Sequence, residues 1–141
     1  VWCSWGVVFL QYRPRGVGDH PRMSESKTYT GGCHCGKVRF EAQIALDKVT
    51  ACNCSICSKA GWLLTFAPAA HFKLIQGEEA VTDYQFARRH LHHPFCSTCG
   101  IRSYSYGTSE KGELMYAVNA RCLDELDAAA VPVTHFDGKA L

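Results

Sequence analysis

The chain has 141 residues, of which 47% are hydrophobic and 20% are charged, and its formal net charge is +2. This length and composition predict a single globular domain and argue against a disordered chain. Because the net charge is small and both signs are interspersed, we expect neither nucleic acid nor a membrane surface as a partner.

Residues 1–22 differ in composition from the rest of the chain. Their apolar run covers about ten residues, which is half a membrane span; no positive region precedes it and no small-residue cleavage site follows it. We therefore expect neither an anchor nor a signal peptide. Met23 begins an ordinary polar segment, so we predict that residues 1–22 are a non-functional extension and that residues 23–141 form one domain.

Alternating residues and turn signals predict a mainly β fold. Val38, Phe40 and Ala42 alternate with charged residues, which is the pattern of a half-buried strand. Further strands are predicted, in chain order, at residues 49–52, 62–66, 71–75, 81–86, 101–106, 114–118 and 133–136. Only residues 122–130 have helical character, which is enough for one or two turns.

Seven of the nine cysteines occur in three closely spaced groups: Cys33-His-Cys35, Cys52-Asn-Cys54-Ser-Ile-Cys57 and Cys96-Ser-Thr-Cys99. Such spacings are typical of zinc ligands, and the odd total favours a reducing cytoplasm over a secreted disulfide framework. A structural zinc takes four ligands, whereas a catalytic zinc takes three and keeps an exchangeable position. The seven thiols therefore divide into four and three, which predicts two zinc ions per chain.

The predicted structural set consists of the two pairs that precede a glycine, namely Cys33, Cys35, Cys96 and Cys99. Gly36 and Gly100 lack a Cβ atom, so the chain can turn there with positive φ and direct backbone N–H groups at the thiolates. The predicted catalytic set is Cys52, Cys54 and Cys57. We expect the fourth position of this second zinc to be open.

Two other uses of these thiols stay open. Disulfide bonds are the first, although a Cys-x-Cys bridge closes a very tight ring and strains the bond geometry. The second is a pair of purely structural metal sites, in which His34 or a distant histidine would complete the second set. If His34 is not a ligand, we expect it to be a surface residue.

Other residues near the cysteines have less specific roles. Asn53 and Ser55 lie between the ligands and could bond to sulfur or to a substrate alkoxide, or satisfy the backbone of the turn. Cys122 is expected to be a buried thiol. A solvated strand edge is expected for three histidines, His90, His92 and His93. The sequence does not identify a proton donor.

Four segments together resemble the glutathione-dependent formaldehyde-activating enzyme (GFA) family, whose domain is shared with a centromere protein. They are Gly31-Gly-Cys-His-Cys-Gly-Lys-Val-Arg-Phe40, Cys52-Asn-Cys-Ser-Ile-Cys57, Phe95-Cys-Ser-Thr-Cys-Gly100 and Val118-Asn-Ala-Arg-Cys-Leu-Asp124. The resemblance covers roughly residues 28–138. It implies a β-tent of stacked antiparallel sheets, with a structural zinc at the set of four cysteines and a catalytic zinc at the set of three.

The resemblance also implies carbon–sulfur lyase chemistry, read in reverse as the addition of a thiol to an aldehyde. The activity attributed to the family joins formaldehyde to glutathione and gives S-hydroxymethylglutathione. The expected partners are therefore a small thiol such as glutathione and a small aldehyde. Six cationic side chains are available for the carboxylates of glutathione, but the sequence does not place them: Arg39, Lys59, Arg88, Arg89, Arg102 and Arg121.

Two other functions are compatible with the sequence. A non-catalytic zinc module that binds protein or chromatin would need a basic or apolar surface, and the sequence has no long basic run. An enzyme similar to methionine sulfoxide reductase could use Cys122 as its nucleophile, but the set of three cysteines would then have no role. The sequence identifies neither the physiological thiol and aldehyde nor the oligomeric state.

Overall fold

The computed structural model describes residues 25–141, so the prediction for residues 1–22 lies outside the described residues. The strands of this part of the chain are β1 (Lys27–Gly32), β2 (Arg39–Ile44), β3 (Val49–Cys52), β4 (Leu64–Pro68), β5 (Phe72–Gln76), β6 (Val81–Tyr84), β7 (Leu91–Cys96), β8 (Tyr104–Thr108), β9 (Leu114–Asn119) and β10 (Val133–Phe136). One short helix, α1 (Cys57–Ala60), precedes β4. The predicted mainly β fold is confirmed. None of the described helices has the length and apolar character needed to cross a membrane.

The strands form two sheets. The small sheet has the order β1-β2-β5, and its strands pair antiparallel. The large sheet has the order β10-β3-β4-β9-β8-β7-β6. Its pairs are antiparallel except for β10 and β3 at one edge, which run parallel. The expected antiparallel sheets are thus confirmed apart from this edge pair, which places the C-terminal strand beside Cys52.

An aromatic core joins the two sheets. Phe40 of β2 stacks on Phe72 of β5 with 5.4 Å between ring centroids and meets Tyr104 of β8 edge-on at 6.3 Å. Phe72 also stacks on Tyr116 of β9, at 4.0 Å. Phe40 is only 1% exposed, as the alternation along β2 predicts. These rings hold the small sheet against the centre of the large one.

The predicted helical segment at residues 122–130 is present as separate 3-10 turns, at Ala120–Cys122 and Ala128–Ala130. Two side chains favour turns there, because Asn119 accepts a hydrogen bond from the backbone N–H of Arg121 and Asp127 accepts one from that of Ala129. Glu125 has a φ of 56°, which is incompatible with a right-handed helix. The helical pattern is therefore interrupted in the middle.

We expect Phe40→Ala to lower the free energy of unfolding by about 3–5 kcal/mol, because it removes a buried ring from the contact between the sheets. Ile75→Ala is the matched control, since Ile75 is 47% exposed, and it should change the value by less than about 0.5 kcal/mol. Urea denaturation followed by circular dichroism measures both. Equal effects of the two substitutions would contradict the packing of the sheets.

Candidate metal centres and active site

The structure brings together the cysteines of two distant turns, and we call Cys33, Cys35, Cys96 and Cys99 the four-thiol cluster. Their Sγ atoms all lie within 4.8 Å of one another. The separations from Cys35 Sγ to the Sγ atoms of Cys33 and Cys96 are both 3.6 Å. A tetrahedral zinc with 2.3 Å bonds requires sulfurs about 3.8 Å apart, so the donor set fits this ion. A disulfide would need about 2.05 Å and is excluded between these atoms.

Both turns of the four-thiol cluster have the backbone conformation that the sequence predicts. Gly36 has a φ of 81° and Gly100 a φ of 75°. The backbone N–H of Val38 donates to Cys33 Sγ at 3.3 Å. Burial acts to raise the pKa of the Cys99 thiol, but hydrogen bonds from the backbone N–H groups of Ile101 and Cys35 outweigh burial and lower that pKa to about 6. These bonds favour the thiolate of Cys99, the form that binds metal. At Cys35 a hydrogen bond from the backbone of Lys37 lowers the pKa, but burial and the neighbouring thiols outweigh it and raise that pKa to about 11.

We call Cys52, Cys54 and Cys57 the three-thiol cluster. Their Sγ atoms also lie within 4.8 Å of one another, and no other histidine, cysteine or carboxylate of residues 25–141 joins them at this distance. Cys52 ends β3, and Cys57 begins α1, which ends at Gly61 with a φ of 64°. The sequence did not predict this helix, because four residues show no periodicity. Three converging thiols fit the ligand set of a catalytic zinc.

The C-terminal segment covers the three-thiol cluster. A Cβ atom on Gly138 would lie 2.6 Å from Cys52 Sγ and 3.0 Å from Cys54 Cβ, so only glycine fits there. Asn53 fastens this segment, because its amide donates to Asp137 Oδ1 at 2.8 Å and its Oδ1 accepts from the backbone N–H of Lys139 at 3.0 Å. Asn53 thus bonds to the covering segment. No local sequence pattern predicts that Gly138 approaches the thiols.

A cavity of about 600 Å³ lies beside the loop that carries the three-thiol cluster, and the three cysteines themselves are not among its lining residues. Ser55 and Ile56 of the loop between Cys54 and Cys57 form part of its wall. Its other apolar walls are Trp62, Tyr84, Phe86 and Ile101, and its polar side chains include Lys59, Arg102 and Asn119. This volume lies in the range of small-molecule sites. The cavity is therefore the natural place for a substrate beside these thiols.

Arg102 is the half-buried cation of the cavity. Its guanidinium carbon lies 5.6 Å from the ring centroids of Trp62, Tyr84 and Phe95. Burial lowers the pKa of Arg102, and the nearby Tyr84 and Cys57 oppose that shift. Among residues 25–141 the guanidinium forms no ion pair.

The other five cationic candidates from the sequence differ in whether they line the cavity. Lys59 lines the cavity and is exposed. Arg39 instead forms an ion pair with Asp124. Three arginines are exposed and are not among the residues that line the cavity: Arg88, Arg89 and Arg121.

The prediction of a solvated strand edge is wrong for His93. Its side chain is 1% exposed, and its ring lies 5.3 Å from that of Phe86 and 6.3 Å from that of Trp62. Strand β7, which the sequence analysis missed, is flanked by β6 and β8, so its inward residues are buried. The carbonyl of Tyr84 accepts a hydrogen bond from His93 Nδ1 at 3.0 Å, and burial lowers the pKa of the ring. His93 is therefore a neutral core residue.

Four further candidates have ordinary surroundings. His92 is half-buried, with its Nδ1 2.6 Å from Asp83 Oδ2, and His90 is exposed. His34 is also exposed, in the turn of the four-thiol cluster. Cys122 is half-buried with its Sγ 3.8 Å from the carbonyl oxygen of Arg102, and burial raises the pKa of its thiol. A raised pKa disfavours the reactive thiolate.

Comparisons with known proteins give two findings. Residues 28–137 match the family model described as glutathione-dependent formaldehyde-activating enzyme. The fold is similar to the crystal structure of a Rhodobacter sphaeroides protein, with a TM-score of 0.65 and 32% sequence identity. That match covers 74% of this chain and 99% of the other.

We expect Cys33→Ala to abolish the folded state and Cys54→Ala to leave it largely intact. Loss of a ligand from the four-thiol cluster disconnects two turns that are 61 positions apart, whereas the three-thiol cluster joins neighbouring residues. Thermal unfolding of both variants, purified with zinc, measures the difference. An equal loss of thermal stability would refute this division of roles.

Gly138→Ala should lower the zinc affinity of the three-thiol cluster by about tenfold or more, because the added methyl group would displace Cys52 Sγ. The four-thiol cluster should keep its metal. Competition with a chromophoric chelator measures both affinities. Lys139→Ala is the control, since this neighbouring side chain is exposed. An unchanged affinity in Gly138→Ala would show that the segment does not constrain the thiols.

Proposed function

The chain belongs to the glutathione-dependent formaldehyde-activating enzyme family, and on this basis we propose that it catalyses the zinc-dependent addition of a small thiol to a small aldehyde. The reverse reaction is that of a carbon–sulfur lyase. The observation that carries the proposal is the unequal number of converging thiols, four in one cluster and three in the other, with a cavity beside the three. The alternative with two purely structural metals gives that cavity no role.

The two clusters receive different roles in this proposal. The four-thiol cluster holds a structural zinc, and the three-thiol cluster holds a catalytic zinc, which makes two ions per chain. Zinc bound by three thiolates would supply a further position at which a soft sulfur ligand is deprotonated. We also propose a single domain over residues 23–141 and a reducing cytoplasmic environment, because the ligand thiols must stay reduced.

In this proposal, side chains of the cavity bind the thiol and the aldehyde next to each other. Trp62 and Phe86 form apolar walls that offer a contact surface to the substrate. Lys59 and Arg102 supply the positive charge that attracts an anionic thiol. Ser55 lies in the same wall, next to Cys54, and is our candidate for a hydrogen bond to the alkoxide. Together these groups hold thiol and aldehyde close enough to react.

The proposed step forms one bond and needs no oxidant or reductant. The sulfur of the deprotonated thiol attacks the aldehyde carbon, the C–S bond forms, and the carbonyl π electrons move to oxygen. The alkoxide then takes one proton, so the thiol and the aldehyde combine without loss of atoms. With glutathione and formaldehyde the product is S-hydroxymethylglutathione, and the lyase direction reverses each step.

Neither alternative function has a structural observation in its favour. A methionine sulfoxide reductase mechanism would use Cys122 as nucleophile, yet burial raises the pKa of this thiol. A chromatin-binding module would use a basic surface, but the half-buried arginine of the cavity sits among aromatic rings. That arrangement suits a small anionic ligand better than a nucleic acid backbone.

Metal content and thiol binding together test the proposal. Purified wild-type protein should contain two zinc ions per chain and bind glutathione, as measured by elemental analysis and calorimetry. Cys54→Ser should contain one zinc and lose glutathione binding, because Cys54 is a fully buried member of the three-thiol cluster. Cys122→Ser is the matched control and should behave like the wild type. Undiminished glutathione binding by Cys54→Ser would overturn the proposed site.

A further inference from the structure

We propose that Arg102 binds a carboxylate of the substrate thiol and thereby selects anionic thiols over neutral ones. This inference rests on the proposed function, because it takes the cavity beside the three-thiol cluster as the thiol site. Beyond the proposed function, the inference assigns the choice of substrate to Arg102 and names anionic thiols as the class that Arg102 recognises.

The backbone of Arg102 is fixed from two sides. Residue 102 follows the turn of the four-thiol cluster by two positions, and Cys96 N–H donates to the carbonyl of Ile101 at 3.0 Å. The side-chain amide of Asn119 donates to the carbonyl of Arg102 at 3.1 Å. The side chain therefore extends into the cavity from a rigid base, as a specificity residue requires.

Within the described residues 25–141, the guanidinium of Arg102 contacts aromatic rings, and its N–H donors form no hydrogen bond there. Trp62, Tyr84 and Phe95 each lie 5.6 Å from the guanidinium carbon. A contact with a ring face attracts the cation but satisfies none of the five N–H donors with an oxygen acceptor. A half-buried guanidinium that has no carboxylate partner among residues 25–141 carries a desolvation cost, which a bound anion would offset.

Arg102 lines the same cavity as Ser55 and Ile56, which belong to the loop between Cys54 and Cys57. We therefore expect a ligand with sulfur at one end, towards this loop, and a carboxylate at the other, towards the arginine. Lys59, in the last turn of α1, adds a second cation to the wall of the cavity. A cavity of about 600 Å³ is much larger than a two-carbon thiol needs. These features fit a peptide-sized thiol that carries two carboxylates.

Calorimetric titration of zinc-loaded protein with glutathione and with neutral 2-mercaptoethanol tests the inference. Arg102→Gln should weaken glutathione binding by about tenfold to a hundredfold, because a charge-assisted hydrogen bond is lost. The affinity for 2-mercaptoethanol should change less than about twofold. Arg102→Lys should give an intermediate glutathione affinity, since lysine keeps the charge but not the planar pair of donors.

Lys111→Gln is the control for net charge. Residue 111 lies in the turn between β8 and β9, at the opposite end of β9 from Asn119, and it is exposed. This substitution should leave both thiol affinities unchanged. The wild-type protein supplies a second test that needs no variant: the diethyl ester of glutathione, which lacks both carboxylate charges, should bind at least about tenfold more weakly than glutathione.

The outcomes separate this inference from the proposed function. Equal weakening of both thiols by Arg102→Gln, or equal binding of glutathione and its ester to the wild type, would overturn the role of Arg102 while leaving the thiol site intact. Failure of the wild type to bind any thiol would overturn the proposed function and this inference together.

Discussion

The structure depends on sulfur atoms that are distant in sequence but converge to the separation that one metal ion requires. The four-thiol cluster joins the turn between β1 and β2 to the turn after β7, and its Sγ atoms lie within 4.8 Å of one another. Zinc binding contributes about 10–16 kcal/mol in zinc-finger peptides, so a bound ion would dominate the stability of such a connection. The aromatic contacts between the sheets then position the remaining strands around it.

The two clusters are linked through the chain that leaves the four-thiol turn. This segment passes from Cys99 to Arg102 and enters the wall of the cavity beside the three-thiol cluster. Gly138 lies against Cys52 of that cluster, and Asn53 forms hydrogen bonds with the segment that carries Gly138. The chain that leaves the four-thiol cluster and the C-terminal segment therefore both shape one candidate active site.

The sequence predicted the parts of the structure that depend on local spacing. Cysteine groups of the form Cys-x-Cys and Cys-x-x-Cys gave both clusters, and alternation gave most strands. What the sequence could not give depends on packing between distant residues: His93 is buried by Trp62, 31 positions away, and Gly138 meets Cys52 only because β10 pairs with β3. The six cationic candidates likewise look alike in the sequence. In the folded chain Arg102 lies among aromatic rings, whereas Arg39 forms an ion pair with Asp124.

Diffraction from crystals of the zinc-loaded protein, recorded at the zinc absorption edge, tests the central claim most directly. The account predicts two anomalous peaks per chain, one about 2.3 Å from four Sγ atoms and the other at this distance from the Sγ atoms of Cys52, Cys54 and Cys57 only. A non-protein ligand should complete the second site. A single peak, or a fourth side chain bound at the second site, would contradict the account.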